Sequence, residues 1–418
     1  MTASHLKQLG IKTNIFQISM QLVQIFLVGL TIGMTRIVIP GLAETEFGLA
    51  DQAFFLLASF VVVFGFIKAV MNLLAGRLSE AWGRKNVLIS GWFIALPIPF
   101  MLLYAPNWVW IIAATVLLGF NQGLCWSMAL NSKLDLAKTT QKGLVNGINE
   151  FSGYAAVGIA GLATAYIVGI FGTRDGLFYF SLCVILSGLV LAIFTVKETL
   201  PWAKLHQQEN QNLDNQNLSQ SETSRSLSQL FKYSTIQSKP LITLNQAGLV
   251  EKFTDAIVWI FFPVYFIAQG LKLIEAGAII AIYGVVWGAL QLVTGPLSDK
   301  IGRRGLIVWG MWFCAIGVLL VPLTSSILFW SLESALIGVG MAMVYPNLGA
   351  AVGDFSHPNE RASLIGVYRF WRDMGYAIGA LVMGLIAQWS ANLVIPFWFV
   401  GGAMLLSGLW VQLWLPKH

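Results

Sequence analysis

Charge is what this chain has least of. Only 11% of its 418 residues are charged, against about a quarter in a typical soluble domain. So few charges cannot cover globular domains, which excludes an ordinary soluble protein. Cysteine is scarce too. Cys125, Cys183 and Cys314 are the only three, an odd number, each inside an apolar run, which excludes a secreted disulfide scaffold. The four histidines (His5, His206, His357 and His418) lie in termini or loops. No His/Cys cluster suggests a metal site. No Gly-x4-Gly-Lys-[Ser/Thr] loop suggests ATP hydrolysis. No nucleophile–base pair suggests catalysis, so neither an enzyme nor a cofactor is expected.

Long apolar runs are abundant. The chain is 57% hydrophobic, with mean hydropathy +0.73. A membrane helix needs about 20 mostly apolar residues. Such runs lie near 15–40, 52–76, 86–105, 108–131, 144–171 and 176–196, then near 242–268, 274–296, 305–323, 327–352, 362–388 and 391–415. These predict twelve spans and an all-α membrane protein. The runs are continuous rather than alternating, unlike barrel strands. Residues 1–14 lack the apolar core and cleavage site of a signal peptide, so span one is expected to stay.

The net charge of +6 suggests nucleic acid until the charges are placed. Most Lys and Arg fall in the termini and after even-numbered spans; only Arg174 and Lys272 fall in the opposite loops. That is the positive-inside bias, with both termini cytoplasmic in an inner or plasma membrane, and no nucleic-acid partner. Residues 201–241 include a Gln/Asn/Ser-rich tract, Gln207 to Gln220, too polar to fold and read as a flexible cytoplasmic linker. It separates a six-span half, 1–200, from another, 242–418.

The halves share a peptide. Gly76-Arg77-Leu78-Ser79-Glu80-Ala81-Trp82-Gly83-Arg84-Lys85 follows span two, and Gly295-Pro296-Leu297-Ser298-Asp299-Lys300-Ile301-Gly302-Arg303-Arg304 follows span eight, 219 residues later. Repetition at matching topological places indicates duplicated halves. With these motifs the chain resembles the major facilitator superfamily, whose signature loop is G-x-L-[SA]-[DE]-x-x-G-R-[KR]. The resemblance covers nearly the whole chain. It implies the fold of that family, two pseudo-symmetric six-helix bundles that carry a small molecule across the bilayer by alternating access. It also implies that Gly76 and Gly295 permit close helix approach. Glu80 would meet the start of span eleven near Arg361, and Asp299 the start of span five near Lys142. With Gly83, Arg84, Gly302 and Arg303 these residues form the expected cytoplasmic gate. The doubled motif further resembles that of proton-coupled drug and metabolite exporters, which implies efflux, with uptake by symport as the alternative. The chain departs from the exporters in two places: Gly119 precedes Gln122-Gly123 where their span-four motif carries an Arg, and span five has Gly153, Gly158 and Gly161 without proline.

An ionisable residue at membrane depth costs at least about 2.5 kcal/mol, so it usually serves a cavity or a partner. Arg36, Lys68, Lys252, Arg369, Arg372, Glu150, Glu251, Asp255, Glu333 and Asp373 are such residues. Arg36 reads either as cavity-facing or as snorkelling outward. Lys68, about 12 Å from the cytoplasmic end of its helix, reads as a substrate-facing cation or as half of an ion pair. Gly153-Tyr154-Ala155 in span five matches Gly375-Tyr376-Ala377 in span eleven. That alignment makes Glu150 the counterpart of Arg372, facing it across the path. Arg369 and Asp373, four apart, predict an intrahelical ion pair. Asn121, Gln122 and Trp126 in span four, with Tyr345 and Asn347 in span ten, read as a polar-aromatic cavity wall or as helix-packing groups. Without a histidine at depth, protons must be carried by carboxylates: Glu150 first, then Asp255, with Asp373 in the same network. The surplus of cavity cations points to an anionic or zwitterionic cargo. A monomer is expected.

Overall fold

The computed structural model describes residues 9–48, 53–138, 141–203, 225–357 and 360–416. The tract Gln207 to Gln220 lies outside them, as does the side chain of Lys142. The first six spans are Ile15–Thr45, Phe54–Trp82, Arg84–Ala95 continued by Ile98–Leu103, Trp108–Leu136, Lys142–Phe171 and Thr173–Phe194. A short helix, Leu227–Lys232, precedes the second set. Spans seven to twelve are Lys239–Ala268, Leu273–Ile301, Arg303–Leu320, Ile327–Asp354, Arg361–Ser390 and Ile395–Trp414. Span three breaks where Pro97 and Pro99 remove backbone donors.

Among the described residues, ten helices are apolar enough to cross a membrane by composition alone. Spans seven and eleven are just as long, 30 residues each, but are not among the ten. Span seven carries Glu251, Lys252 and Asp255, and span eleven carries Arg369, Arg372 and Asp373. The helices least suited to lipid therefore carry the polar centre.

The signature loop is hardly a loop. Gly76 to Trp82 continue span two as helix, and the chain turns only at Gly83, with φ +86°. Gly302, with φ +88°, turns the second copy. L-residues rarely adopt this backbone, and a Cβ at Gly83 would also sit 2.3 Å from an oxygen of Glu198.

Small residues set the packing, as expected where lipid removes the hydrophobic drive between helices. Gly29 and Gly33 of span one lie one turn apart against the span-five carbonyls of Gly153 and Val157, where a Cβ would come within 2.3 Å of either oxygen. The halves meet along two seams. Gly65 of span two abuts Tyr376 and Ala377 of span eleven, and Gly384 of span eleven abuts Ala58 of span two. Gly158 of span five abuts Gly284 of span eight. At the end opposite the motifs, the far face, the amide of Phe55 donates to Gln388 at 3.5 Å. At the motif face the seams thin out. Nothing lies within 4 Å of a Cβ built on Gly76, Gly295 or Gly366. The close approach expected at Gly76 and Gly295 is therefore absent in this conformation.

Candidate functional site

The polar centre is layered between the halves. Nearest the far face, Arg36 of span one grips Asp255 of span seven with two hydrogen bonds, 2.5 and 2.9 Å, both side chains buried. The hydroxyls of Tyr283 (3.1 Å) and Tyr376 also donate to this carboxylate. The guanidinium lies 5.1 Å from the Trp259 ring centroid. Arg36 and Asp255 are 219 residues apart, the offset of the doubled motif. They are equivalent positions of the duplicated halves, diverged to opposite charge, and they meet on the pseudo-two-fold axis. Arg36 does not snorkel.

One turn before Asp255, Lys252 is fully buried. It donates to Glu251 at 3.1 Å and lies over the rings of Tyr154, Trp287, Tyr345 and Tyr376 at 4.6–5.6 Å. Cation–π attraction is strongest when desolvated, as here.

Next comes a small void of about 10 Å³, room for roughly one water, lined by Lys68, Asn72, Trp126, Glu150, Tyr345, Arg369 and Arg372. Arg372 is held by its neighbour Asp373, with two contacts of 3.0 Å, and donates to the Tyr345 hydroxyl at 2.9 Å. Asn72 donates to Asp373 and accepts from Ser127. Glu150 Oε1 accepts from Asn149 (2.8 Å) and Trp126 (3.4 Å), while Oε2 is buried without a hydrogen-bond partner. Lys68 is 4% exposed. Its ammonium faces the rings of Phe64, Trp126 and Tyr376 at 5.4–5.5 Å. Among the described residues, neither Lys68 nor Arg369 has an ion pair.

Several expectations need correction. Spans five and eleven begin at Lys142 and Arg361 and end at Phe171 and Ser390, so they share the 219-residue offset. Glu150 is thus the counterpart of Arg369, not Arg372; the Gly-Tyr-Ala match is shifted by three residues. A three-residue shift nearly completes a helical turn, so all three residues still face the void. Asp373 pairs with Arg372 rather than Arg369. Asn121 and Gln122 are not on the cavity wall. Asn121 donates to the Gly91 carbonyl (3.1 Å), Gln122 to Val28 (2.8 Å), tying span four to spans three and one. Asn347 donates to Met343 in its own helix. Asp299 pairs with Arg303 (3.1 Å) and is largely exposed. Glu80 is exposed and, among the described residues, unpaired. Among the described residues Glu80 has no partner on span eleven; the Lys142 side chain, the partner expected for Asp299, lies outside them.

The motif arginines have partners that sequence reading missed. Arg84 donates to Ser79 and pairs with Asp135 at 3.2 Å. Arg303 donates to Ser298 (3.0 Å) and pairs with Asp354 at 2.5 Å. Every member of the second triad stands 219 residues after its counterpart; that offset was the available signal. Glu198 accepts from the amides of Arg84 and Lys85 (2.9 and 3.1 Å), a carboxylate at the start of span three where the helix dipole favours it.

Two related six-helix bundles around a buried, charge-bearing centre define a polytopic membrane transporter. The chain belongs to the major facilitator superfamily, whose sequence model matches residues 22–247 and 246–418. Members of that family are transporters rather than enzymes. An uncharacterised transporter of this type from Salmonella typhimurium is 21% identical over 430 residues, 99% of each chain. The quinolone resistance protein NorA of Staphylococcus aureus is 23% identical over 145 residues, 35% of this chain and 37% of NorA. The multidrug resistance protein MdtH of Photorhabdus laumondii is 24% identical over 163 residues, 39% of this chain. The matched stretch spans only 40% of the MdtH length. Among solved structures, a D-xylose-proton symporter superposes with TM-score 0.72 at 18% identity, over 96% of this chain and 98% of that one.

Proposed function

We propose that the chain is a proton-coupled secondary transporter that exports a small anionic or zwitterionic solute by alternating access. The bodies that rock are residues 1–200 and 242–418, with 201–241 joining them and its packed part, from Arg225 on, moving with the second body. The motif face is cytoplasmic, in an inner or plasma membrane, and the monomer is the working unit. The observation that carries this reading is the imbalance around the void. Arg36, Lys252 and Arg372 each have a carboxylate partner, whereas among the described residues the buried Lys68 has none, nor has the half-buried Arg369. An uncompensated buried cation is expensive, and a substrate's negative charge would relieve it. Glu150, with one buried oxygen unsatisfied, is the proton carrier. Asp255 serves the far-face closure instead, since Arg36 and two tyrosines occupy both its oxygens. Similarity to NorA and MdtH supports efflux.

Flux in proteoliposomes under an imposed pH gradient tests this. The expected outcome is solute moving against the proton flow, with Glu150→Gln abolishing proton-driven accumulation while solute exchange persists. Solute moving with the protons would assign uptake by symport. Solute movement without proton flux would overturn coupling altogether.

A further inference from the structure

We propose that the groove between span two and the segment preceding span seven binds one anionic phospholipid, its phosphate held by Arg77 and Lys232. The groove measures about 660 Å³. Leu73, Phe231 and Ile236 give it apolar walls; Arg77, Lys232 and Ser228 give it a polar rim. Both cations are exposed and, among the described residues, without an ion pair. An apolar trough beneath two free cations matches an acyl chain under a phosphate better than it matches a free ion.

The segment forming one wall is firmly placed. Ser226 and Gln229 make a capping box, and Leu230 is buried. Arg225 reaches Glu360 (3.5 Å) and lies 4.0 Å from the Tyr233 ring centroid. Trp371 of span eleven donates to Thr235 at 2.9 Å, and Asn245 of span seven donates to the Ser234 carbonyl at 2.9 Å. The wall bearing Lys232 therefore belongs to the second half, and the wall bearing Arg77 to the first. Nearby, Lys239 at the start of span seven lies 4.5 Å from the ring centroid of the half-exposed Trp414. Such lysine and tryptophan pairings mark the membrane interface. The positive-inside bias puts this face toward the leaflet richest in anionic lipid. A phosphate shared by Arg77 and Lys232 would tie span two to the segment docked on span eleven.

Native mass spectrometry of the purified full chain, mixed with phosphatidylglycerol or phosphatidylcholine, tests the site. The wild type should retain one phosphatidylglycerol more firmly than phosphatidylcholine, by about thirtyfold, as two interfacial cations imply. Arg77→Ala with Lys232→Ala should abolish that preference. Lys197→Ala, which removes another exposed cation at the same face, should not. Phe231→Ser should weaken phosphatidylglycerol retention with the cations intact. Melting temperatures matching the wild type serve as the folding control. Equal retention by the wild type and the double variant would overturn the proposal. So would displacement of the lipid by equimolar inorganic phosphate.

Discussion

At the residue scale, the most consequential contact is Arg36 with Asp255. Each residue alone would be a costly buried charge. Together, with two tyrosine hydroxyls, they close the far face. Removing one partner of such a pair typically costs about 3–5 kcal/mol, because the other charge is stranded. Arg36→Ala should therefore destabilise the closed far face. A cysteine introduced at Ala53 should then react faster with an impermeant maleimide, in a Cys183→Ser background. The double exchange, Arg36→Asp with Asp255→Arg, should restore slow labelling, since the two positions are related by the pseudo-two-fold axis. Slow labelling in the Arg36→Ala variant would remove the pair from the closure. The sequence marked both residues as buried charges. It did not show their meeting, because a side chain's partner in another helix has no local signature. Asn121 and Gln122 were misplaced for a related reason: polarity shows that a residue needs a partner, but not which helix supplies it.

At the element scale, span number and duplication were legible from apolar length and the repeated motif, because bilayer thickness and topology fix both. The register between spans five and eleven was not. Gly-Tyr-Ala is a packing triplet, and small residues recur wherever helices touch, so the match of 153–155 with 375–377 reflected contact rather than common position. Glycine packing gives a direct test. A Cβ at Gly33 would lie 2.3 Å from the Val157 carbonyl, whereas nothing lies within 4 Å of one at Gly161. Gly33→Leu should cost about 1–3 kcal/mol or prevent folding, seen as a lower melting temperature in detergent. Gly161→Ala should be neutral or slightly stabilising, by up to about 1 kcal/mol, since Ala is the better helix former.

At the scale of the whole molecule, side chains from both halves meet toward the far face, whereas among the described residues no ion pair joins the halves at the motif face. Alternating access requires the reverse arrangement to exist as well. In that state Glu80 and Asp299 would find their cross-half partners at the starts of spans eleven and five. Cysteines at Phe55 and Gln388, whose parent residues touch in this state, should cross-link under mild oxidation. Transport should then stop and resume on reduction. Undiminished transport by the cross-linked protein would show that spans two and eleven need not part there.

Under the proposed function Lys68, which has no ion pair among the described residues, awaits the negative charge of a substrate. Thermal-shift titration of the purified protein with small organic anions and their neutral isosteres tests it most directly. Anions should raise the melting temperature of the wild type, and Lys68→Gln should lose about tenfold or more in apparent affinity, as for one charge-assisted hydrogen bond. Neutral, hydrophobic compounds that stabilise the protein better than anions, with Lys68→Gln unaffected, would contradict it.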